Sequence, residues 1–209
     1  SKPYKSPTDM GVNMVGFCIS DDEVCQEASK QEIIRRYYNA LNDMANGAGN
    51  DSEVQKIALL FKQAGINSAY RTVTVAAKEV QEQTGVRSAA IELEDGTIIT
   101  GKSGELLGCS AALLLNAMKH LAEIDHDTKL ISQSLIEPIQ HTKISSLPGK
   151  NPRLHTDEVL VALSVLSTTD DNCRKALEQL PKLHGCQVHT TVMLSEVDRK
   201  IFKKLGVDL

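Results

Sequence analysis

The chain has 209 residues, of which 41% are hydrophobic and 24% charged, a composition typical of a globular protein with one sizeable domain. A net charge of −4 and an aromatic fraction of 3% argue against a nucleic-acid partner, which needs a basic surface and stacking side chains. No apolar run reaches the roughly 18 residues of a membrane span. The five cysteines form no Cys-x-x-Cys pair, which is typical of reduced thiols in a cytoplasmic protein.

The first 50 residues predict a helical arm. Ser20 and Glu23 have the spacing of a capping box, and apolar residues then recur with helical period over 34–44. The Gly- and Asn-rich stretch 46–52 is typical of a flexible connector. The sequence therefore predicts an N-terminal arm over 1–50 that links to a missing upstream domain, followed by a C-terminal domain over 51–209.

The next elements are two helices and a hairpin. Helical spacing recurs over 54–63 and 69–83, and each of these segments is followed by a glycine. The apolar period then changes to strict alternation over 89–93, which indicates a strand. The dipeptide Asp95-Gly96 favours a tight hairpin turn, after which residues 97–100 return as the second strand.

The second half of the chain mixes helices with short strands. Helices are predicted over 109–122, 157–166, 170–183 and 195–205, strands over 129–131 and 187–194, and a loop over 143–155. Together these elements predict an α/β fold. Its mixed β-sheet contains a β-hairpin, is flanked by helices in α/β/α layers, and is preceded by the helical arm.

The segment 147–158 carries the most varied polar side chains in the chain, Leu-Pro-Gly-Lys-Asn-Pro-Arg-Leu-His-Thr-Asp-Glu. Binding groups concentrate in loops on a rigid scaffold, so Asn151 and Arg153 are predicted ligand-binding residues and His155 and Asp157 predicted catalytic residues. Two alternatives remain. Thr156 could cap the following helix, with two acids complementing its dipole, or His155, Asp157 and His189 could bind a metal. We predict no metal site, because no known zinc motif is present.

A phosphate-loop pattern, Gly-x-x-x-x-Gly-Lys-Ser, is met over residues 96–103. Its spacer is the predicted second hairpin strand, which cannot wrap around a phosphate. The favoured interpretation is a glycine-rich turn that lets a strand pass close beneath a helix. Lys102 is kept as a predicted anion-binding residue at this turn, and Cys109 is the cysteine whose thiolate a helix N-terminus would favour.

Several blocks of the chain resemble one bacterial family. They are residues 6–14, 30–38, 99–102 with 112–117, 150–158 and 178–183. On these blocks the chain is similar to the C-terminal part of the family named domain of unknown function 1846. The resemblance marks seven motif positions without assigning them roles: Asp9, Asn13, Lys102, Asn151, Arg153, His155 and Asp157. Members have been labelled ATP-dependent peptidases, and no residue pattern in this chain supports that label.

These observations give two functional hypotheses. In the first, the chain is the C-terminal module of a cytoplasmic, nucleotide-utilising multidomain protein. It offers Lys102, Arg153 and His155, with Asp9 and Asn13 as further contacts, to an anionic small molecule at a domain junction. No cofactor is predicted in this chain, while ATP and magnesium are predicted for the full-length protein. In the second, the chain is a structural homo-oligomerisation module whose apolar helices supply the association face.

Overall fold

A computed structural model describes residues 22–66, 70–147 and 149–209. The predictions for Asp9, Asn13 and the capping box at Ser20 lie outside the described residues. The chain divides into two compact units, one ending at Tyr70 and the other beginning at Arg71. This division lies further along the chain than the boundary predicted after residue 50, because two packed helices share the first unit.

The described part of the first unit contains α1 (Asp22–Ala45) and α2 (Asp51–Ala64). The two helices pack on one another, and the ring centroids of Tyr37 and Phe61 lie 4.9 Å apart. A left-handed glycine, Gly65, ends α2 as the sequence predicts, since glycine adopts positive φ without steric cost.

The second unit contains a three-stranded sheet within the described residues. Its strands are β1 (Ser88–Glu92), β2 (Ile98–Lys102) and β3 (Gln187–Thr190), in the order β2-β1-β3. Both strand pairs are antiparallel, so the sheet is antiparallel and not mixed as predicted. Among the described residues, parallel pairing occurs only in two isolated bridges. The hairpin between β1 and β2 is confirmed, with Gly96 at a φ of 82° in its turn.

The described part of this unit contains six α-helices. They are α3 (Thr72–Thr84), α4 (Cys109–Leu121), α5 (Gln133–His141), α6 (Thr156–Leu166), α7 (Asp171–Leu177) and α8 (Glu196–Leu205). None of the helices in the described ranges is long and apolar enough to cross a bilayer.

Alternate residues of β1 face two different helical layers. Ala89 and Ile91 belong to the main apolar core, to which α4 contributes seven buried residues. Ala90, between them, packs against Val73 and Ala77 of α3. The predicted α/β fold with α/β/α layers is therefore confirmed. Because α4 is central to the core, its apolar side chains are not presented as an association face.

Three local predictions are wrong. Residues 129–131 form no strand, although Leu130 and Ile131 are buried. The segment predicted as a loop from residue 143 begins inside a π-helical turn, Thr142–Ser146, which continues α5. The predicted helix over 170–183 is two pieces, α7 and a 3-10 turn that begins beside Pro181, because proline cannot continue the helical hydrogen bonding.

A buried histidine on the α3 side of the sheet makes stability depend on pH. His189, paired with Ala90, is 6% exposed. Burial, together with the charges of Arg71 and Lys78, lowers its pKa from 6.5 to about 4. The unfolded chain therefore binds a proton near pH 6.5 that the folded chain does not, and stability falls as the pH is lowered.

When the pH is lowered from 7 to 4, this histidine should reduce the unfolding free energy by about 3 kcal/mol. Denaturant unfolding across this range should be markedly flatter for His189→Gln than for the unaltered chain. An equal slope in the two proteins would assign the acid sensitivity to other groups.

Candidate functional site

A cleft of about 500 Å³ lies where α4, α6 and α8 begin. Its walls come from three segments of the chain and one residue before β1. The lining residues are Arg87; Ser103, Gly108, Cys109 and Ser110; Lys150, Asn151, Arg153 and His155; and Val192, Met193, Leu194, Ser195 and Asp198. Helix N-terminal ends carry a partial positive charge, so their convergence favours a negatively charged ligand.

The start of α4 is fixed by a close approach to β2. A Cβ atom on Gly101 would lie 2.3 Å from the Leu113 nitrogen and 2.8 Å from the Cys109 carbonyl oxygen. Only glycine allows the strand to pass directly beneath the helix. Ser103, just beyond the strand, accepts a hydrogen bond from the Cys109 amide through its Oγ at 3.1 Å. The interpretation as a glycine-rich turn is confirmed, since most of the phosphate-loop spacer belongs to β2.

The loop before α6 is pinned by three side chains. Asn151 Oδ1 accepts from the Arg153 amide at 3.2 Å, and Arg153 Nε donates to the Gly104 carbonyl oxygen. Lys143 Nζ donates both to the Arg153 carbonyl oxygen at 2.7 Å and to Glu158 Oε2 at 2.8 Å. These bonds hold Asn151 and Arg153 at the cleft although both residues are exposed.

His155 is the N-cap residue of α6, and its amide donates to Glu158 Oε2 at 2.8 Å. The predicted cap, Thr156, is instead the first residue of the helix and is completely buried. Thr156 does not use its hydroxyl to cap the helix, because Asp198 accepts hydrogen bonds from both its amide and its hydroxyl.

Asp198 is the centre of a hydrogen-bond network. Its Oδ1 accepts from the Thr156 amide at 2.9 Å and from the Thr156 hydroxyl at 2.8 Å. Its Oδ2 accepts from the Ser195 hydroxyl at 2.9 Å and lies 3.3 Å from Nδ1 of His155. Ser195 in turn caps α8 by accepting from the Asp198 amide at 3.1 Å. The network joins the starts of α6 and α8.

This network determines the charges of His155 and Asp198. Burial would raise the pKa of Asp198, but hydrogen bonds from His155, Thr156 and Ser195 outweigh it and hold the pKa below its usual range. The hydrogen bond to Asp198 raises the pKa of His155 above 6.5, against the opposing effect of burial. With Nδ1–H directed at Asp198, Nε2 is the ring atom that can exchange a proton with a ligand.

The cleft is cationic in a chain whose net charge is −4. Arg87, Lys150 and Arg153 line it, whereas Asp198 is the one lining carboxylate among the described residues. Cys109 does not add a thiolate. Burial raises the pKa of its thiol, which outweighs the favourable helix terminus and corrects the expectation of an activated cysteine.

The structure brings together three of the predicted site residues, Asn151, Arg153 and His155. Lys102 does not line the cleft. It pairs across the sheet with Ser88, whose hydroxyl bonds the Ala77 carbonyl oxygen of α3, so Lys102 lies on the α3 side.

Asp157 lines a separate groove along α5 and α6. His189 lies on the α3 side of the sheet, so the alternative ligand set of His155, Asp157 and His189 is not assembled. Within the described ranges, no three His, Cys, Asp or Glu side chains are grouped as metal ligands.

Several lining residues are absent from the sequence predictions. Arg87 and Ser110 have no distinguishing local pattern, and Asp198 stands out only as part of a helix-start motif with Ser195. The spacing of that motif correctly indicates the cap. It does not indicate that the carboxylate reaches Thr156, 42 residues away in the chain.

Comparison with known families follows the division into two units. Residues 69–209 match the family model described as domain of unknown function DUF1846, C-terminal, and residues 1–65 match the one described as domain of unknown function DUF1846, N-terminal. The chain belongs to the DUF1846 family. The predicted family is thus confirmed, but its extent is corrected, because the match is not limited to the C-terminal model.

Curated relatives of this DUF1846 chain are named UPF0371 proteins. Those of Corynebacterium urealyticum and Corynebacterium aurimucosum are 57% and 56% identical to it over 205 residues, 98% of the chain and 41% of each relative. A UPF0371 protein of Streptococcus thermophilus is 48% identical over 207 residues, 99% of the chain and 42% of the relative. The chain therefore spans about two fifths of the length of these relatives, whose names state no reaction.

Proposed function

We propose that the cleft binds an anionic small molecule and that His155 exchanges a proton with it. The observation that carries the proposal is the placement of Arg87, Lys150 and Arg153 around a cleft whose one described carboxylate, Asp198, is already engaged. The three cations are exposed, so a ligand can reach them without first breaking a buried ion pair.

The helix starts add to this positive potential. Cys109 and Ser110 open α4 at the cleft, and His155 precedes α6. First-turn amides and the helix dipole favour an anion at such positions. At the start of α6, the Thr156 amide is engaged by the negatively charged Asp198, whereas at the start of α4 the Cys109 amide is engaged by the neutral Ser103 hydroxyl. The start of α4 therefore keeps more of its positive potential for a ligand.

His155 is suited to acid–base chemistry on the bound ligand. Asp198 fixes the ring through Nδ1 and favours its protonated form, so Nε2 can donate a proton to a ligand oxygen and recover it. Asp157, the other predicted catalytic residue, has no part in this proposal.

We propose that the longer proteins of the family, which share this cleft, are cytoplasmic multidomain proteins. The nucleotide-utilising hypothesis is retained at that level, with ATP and magnesium as ligands to be tested on the complete protein. Arg87 and Lys150 replace Lys102 as the cations that accompany Arg153.

Arg153→Ala should weaken anion binding roughly tenfold, which corresponds to about 1.4 kcal/mol. Its guanidinium is exposed, and its hydrogen bond to the Gly104 carbonyl oxygen lies at the surface, so the melting temperature should fall only slightly. Calorimetric titration with pyrophosphate, and with ATP and magnesium, measures the affinity. The matched control is Lys102→Ala, which removes an exposed cation that does not line the cleft. Equal affinity in the unaltered chain and the Arg153 variant would refute the proposal.

A second candidate function, self-association, is favoured by one surface. Val161 and Val165 on the outer side of α6 are 65% and 66% exposed, and Leu135 of α5 is 45% exposed beside the same groove. Solvent-facing apolar groups of this size favour protein contacts when they are contiguous.

If the groove mediates self-association, Val161→Asp should convert an oligomer to a monomer in sedimentation velocity experiments. Val197→Asp, at a 39% exposed valine that does not line the groove, is the control. A monomeric unaltered chain would exclude this second function.

A further inference from the structure

The polar wall of the cleft contains a buried hydroxyl with spare hydrogen-bonding capacity. Ser110, the second residue of α4, is 3% exposed and lines the cleft. Its hydroxyl interacts with the Cys109 thiol, which is a weak hydrogen-bond partner. Ser103 is beside it, accepts from the Cys109 amide, and also has a side-chain hydrogen bond with the Cys109 thiol. Because the thiol is a weak partner, a ligand oxygen at the start of α4 can displace it and accept from both hydroxyls.

The number of donors suits a tetrahedral dianion better than a carboxylate. A phosphate monoester carries close to two negative charges at neutral pH and three terminal oxygens, whereas a carboxylate has one charge and two oxygens. Arg153 provides a planar guanidinium and Lys150 a point charge at the same cleft. Hydroxyls, a helix start and an arginine together are a recurring phosphate-binding combination.

One stretch of the lining is apolar and contains no ring. Val192, Met193 and Leu194 line it, and Met193 is 44% exposed. Among the described aromatic residues, four belong to the first unit and the fifth, Phe202, is buried in the core. A nucleobase would find no Phe, Tyr or Trp side chain to stack on among the described lining residues.

The volume of the cleft indicates that the ligand is larger than an inorganic ion. A cavity of about 500 Å³ is within the range of small-molecule sites. The phosphoryl group would fill the polar end, and an aliphatic chain or polyol would lie along the valine–methionine–leucine wall.

We infer that the ligand of the cleft is the phosphate monoester of a small aliphatic or polyol compound. Its phosphoryl group is held at the start of α4 by Ser110 and Arg153, and its organic part contacts residues 192–194. The inference rests on the proposed anion-binding function and specifies its ligand class.

The test is a calorimetric comparison of four probes on the full chain at one ionic strength: glycerol 3-phosphate, inorganic phosphate, adenosine 5′-monophosphate and succinate. Glycerol 3-phosphate should bind at least tenfold more tightly than succinate and more tightly than inorganic phosphate. The adenine ring should add no affinity. Ser110→Ala should weaken glycerol 3-phosphate several-fold and leave succinate unchanged, while Lys102→Ala should leave both unchanged.

The outcomes distinguish failure of this inference from failure of the proposed function. If none of the four anions binds, the proposed function fails and the inference fails with it. If succinate binds as tightly as glycerol 3-phosphate, or Ser110→Ala weakens both equally, anion binding stands and the phosphate assignment is overturned. If adenosine 5′-monophosphate binds more than tenfold tighter than glycerol 3-phosphate, the non-aromatic ligand class is overturned.

Discussion

Alanine at position 101 should destabilise the second unit by at least about 3 kcal/mol. The added methyl carbon would lie 2.3 Å from the Leu113 nitrogen and 2.6 Å from its Cα, both backbone atoms in the middle of α4. A backbone cannot rotate away as a side chain does, so α4 must lift from β2 and open the core on its inner face. Denaturant unfolding followed by circular dichroism measures the loss.

A second glycine of the same loop provides the control. A Cβ atom on Gly104 would meet nothing within 4 Å, so Gly104→Ala should change the unfolding free energy by no more than about 0.5 kcal/mol. Similar stabilities for Gly101→Ala and Gly104→Ala would show that the helix does not press on the strand. Loss of α4 contact should also disturb the cleft, because Cys109 and Ser110 lie on the first turn of that helix.

The elements predictable from sequence are those whose cause is local. The hairpin follows from alternation on either side of Asp95-Gly96, and α2 and α3 each end at a glycine that adopts positive φ. The strand predicted over 129–131 does not form, because the apolar character of Leu130 and Ile131 indicates burial and not strand pairing. Leu130 and Ile131 are buried, in a segment that pairs with no strand.

The candidate site was only partly predictable, because some of its contacts join residues that are distant in the sequence. The loop 150–155 is evident from its density of polar side chains, and the structure places it at the cleft. Lys102 and Ser103 are neighbours in sequence, yet Lys102 lies on the α3 side while Ser103 lines the cleft. Successive residues of a strand face opposite sides, so proximity in sequence does not assign a side chain to a site. Asp198 joins the site through contacts that no spacing encodes.

Asp198→Ala should cost about 3 kcal/mol of unfolding free energy. Asp198 is 8% exposed and accepts from the Thr156 amide, the Thr156 hydroxyl and the Ser195 hydroxyl. Truncation leaves these donors without their acceptor, and those of Thr156 are in a completely buried residue. Asp198→Asn retains a carbonyl oxygen that can still accept from Thr156, so it should be the less destabilised variant.

The asparagine variant separates the charge of Asp198 from its hydrogen bonds. Without the carboxylate, the pKa of His155 loses its largest raising effect, and the remaining burial favours the neutral ring. An NMR titration of the His155 ring should therefore show a lower pKa in Asp198→Asn than in the unaltered chain. A raised folded-state pKa stabilises the protein most below pH 6.5, and this stabilisation is lost as the pH rises through the folded-state pKa. The unaltered chain should show this component, and Asp198→Asn should lack it. An unchanged His155 pKa in the variant would mean that Asp198 only positions the α6 and α8 helix starts, and the acid–base role of His155 would lose its support.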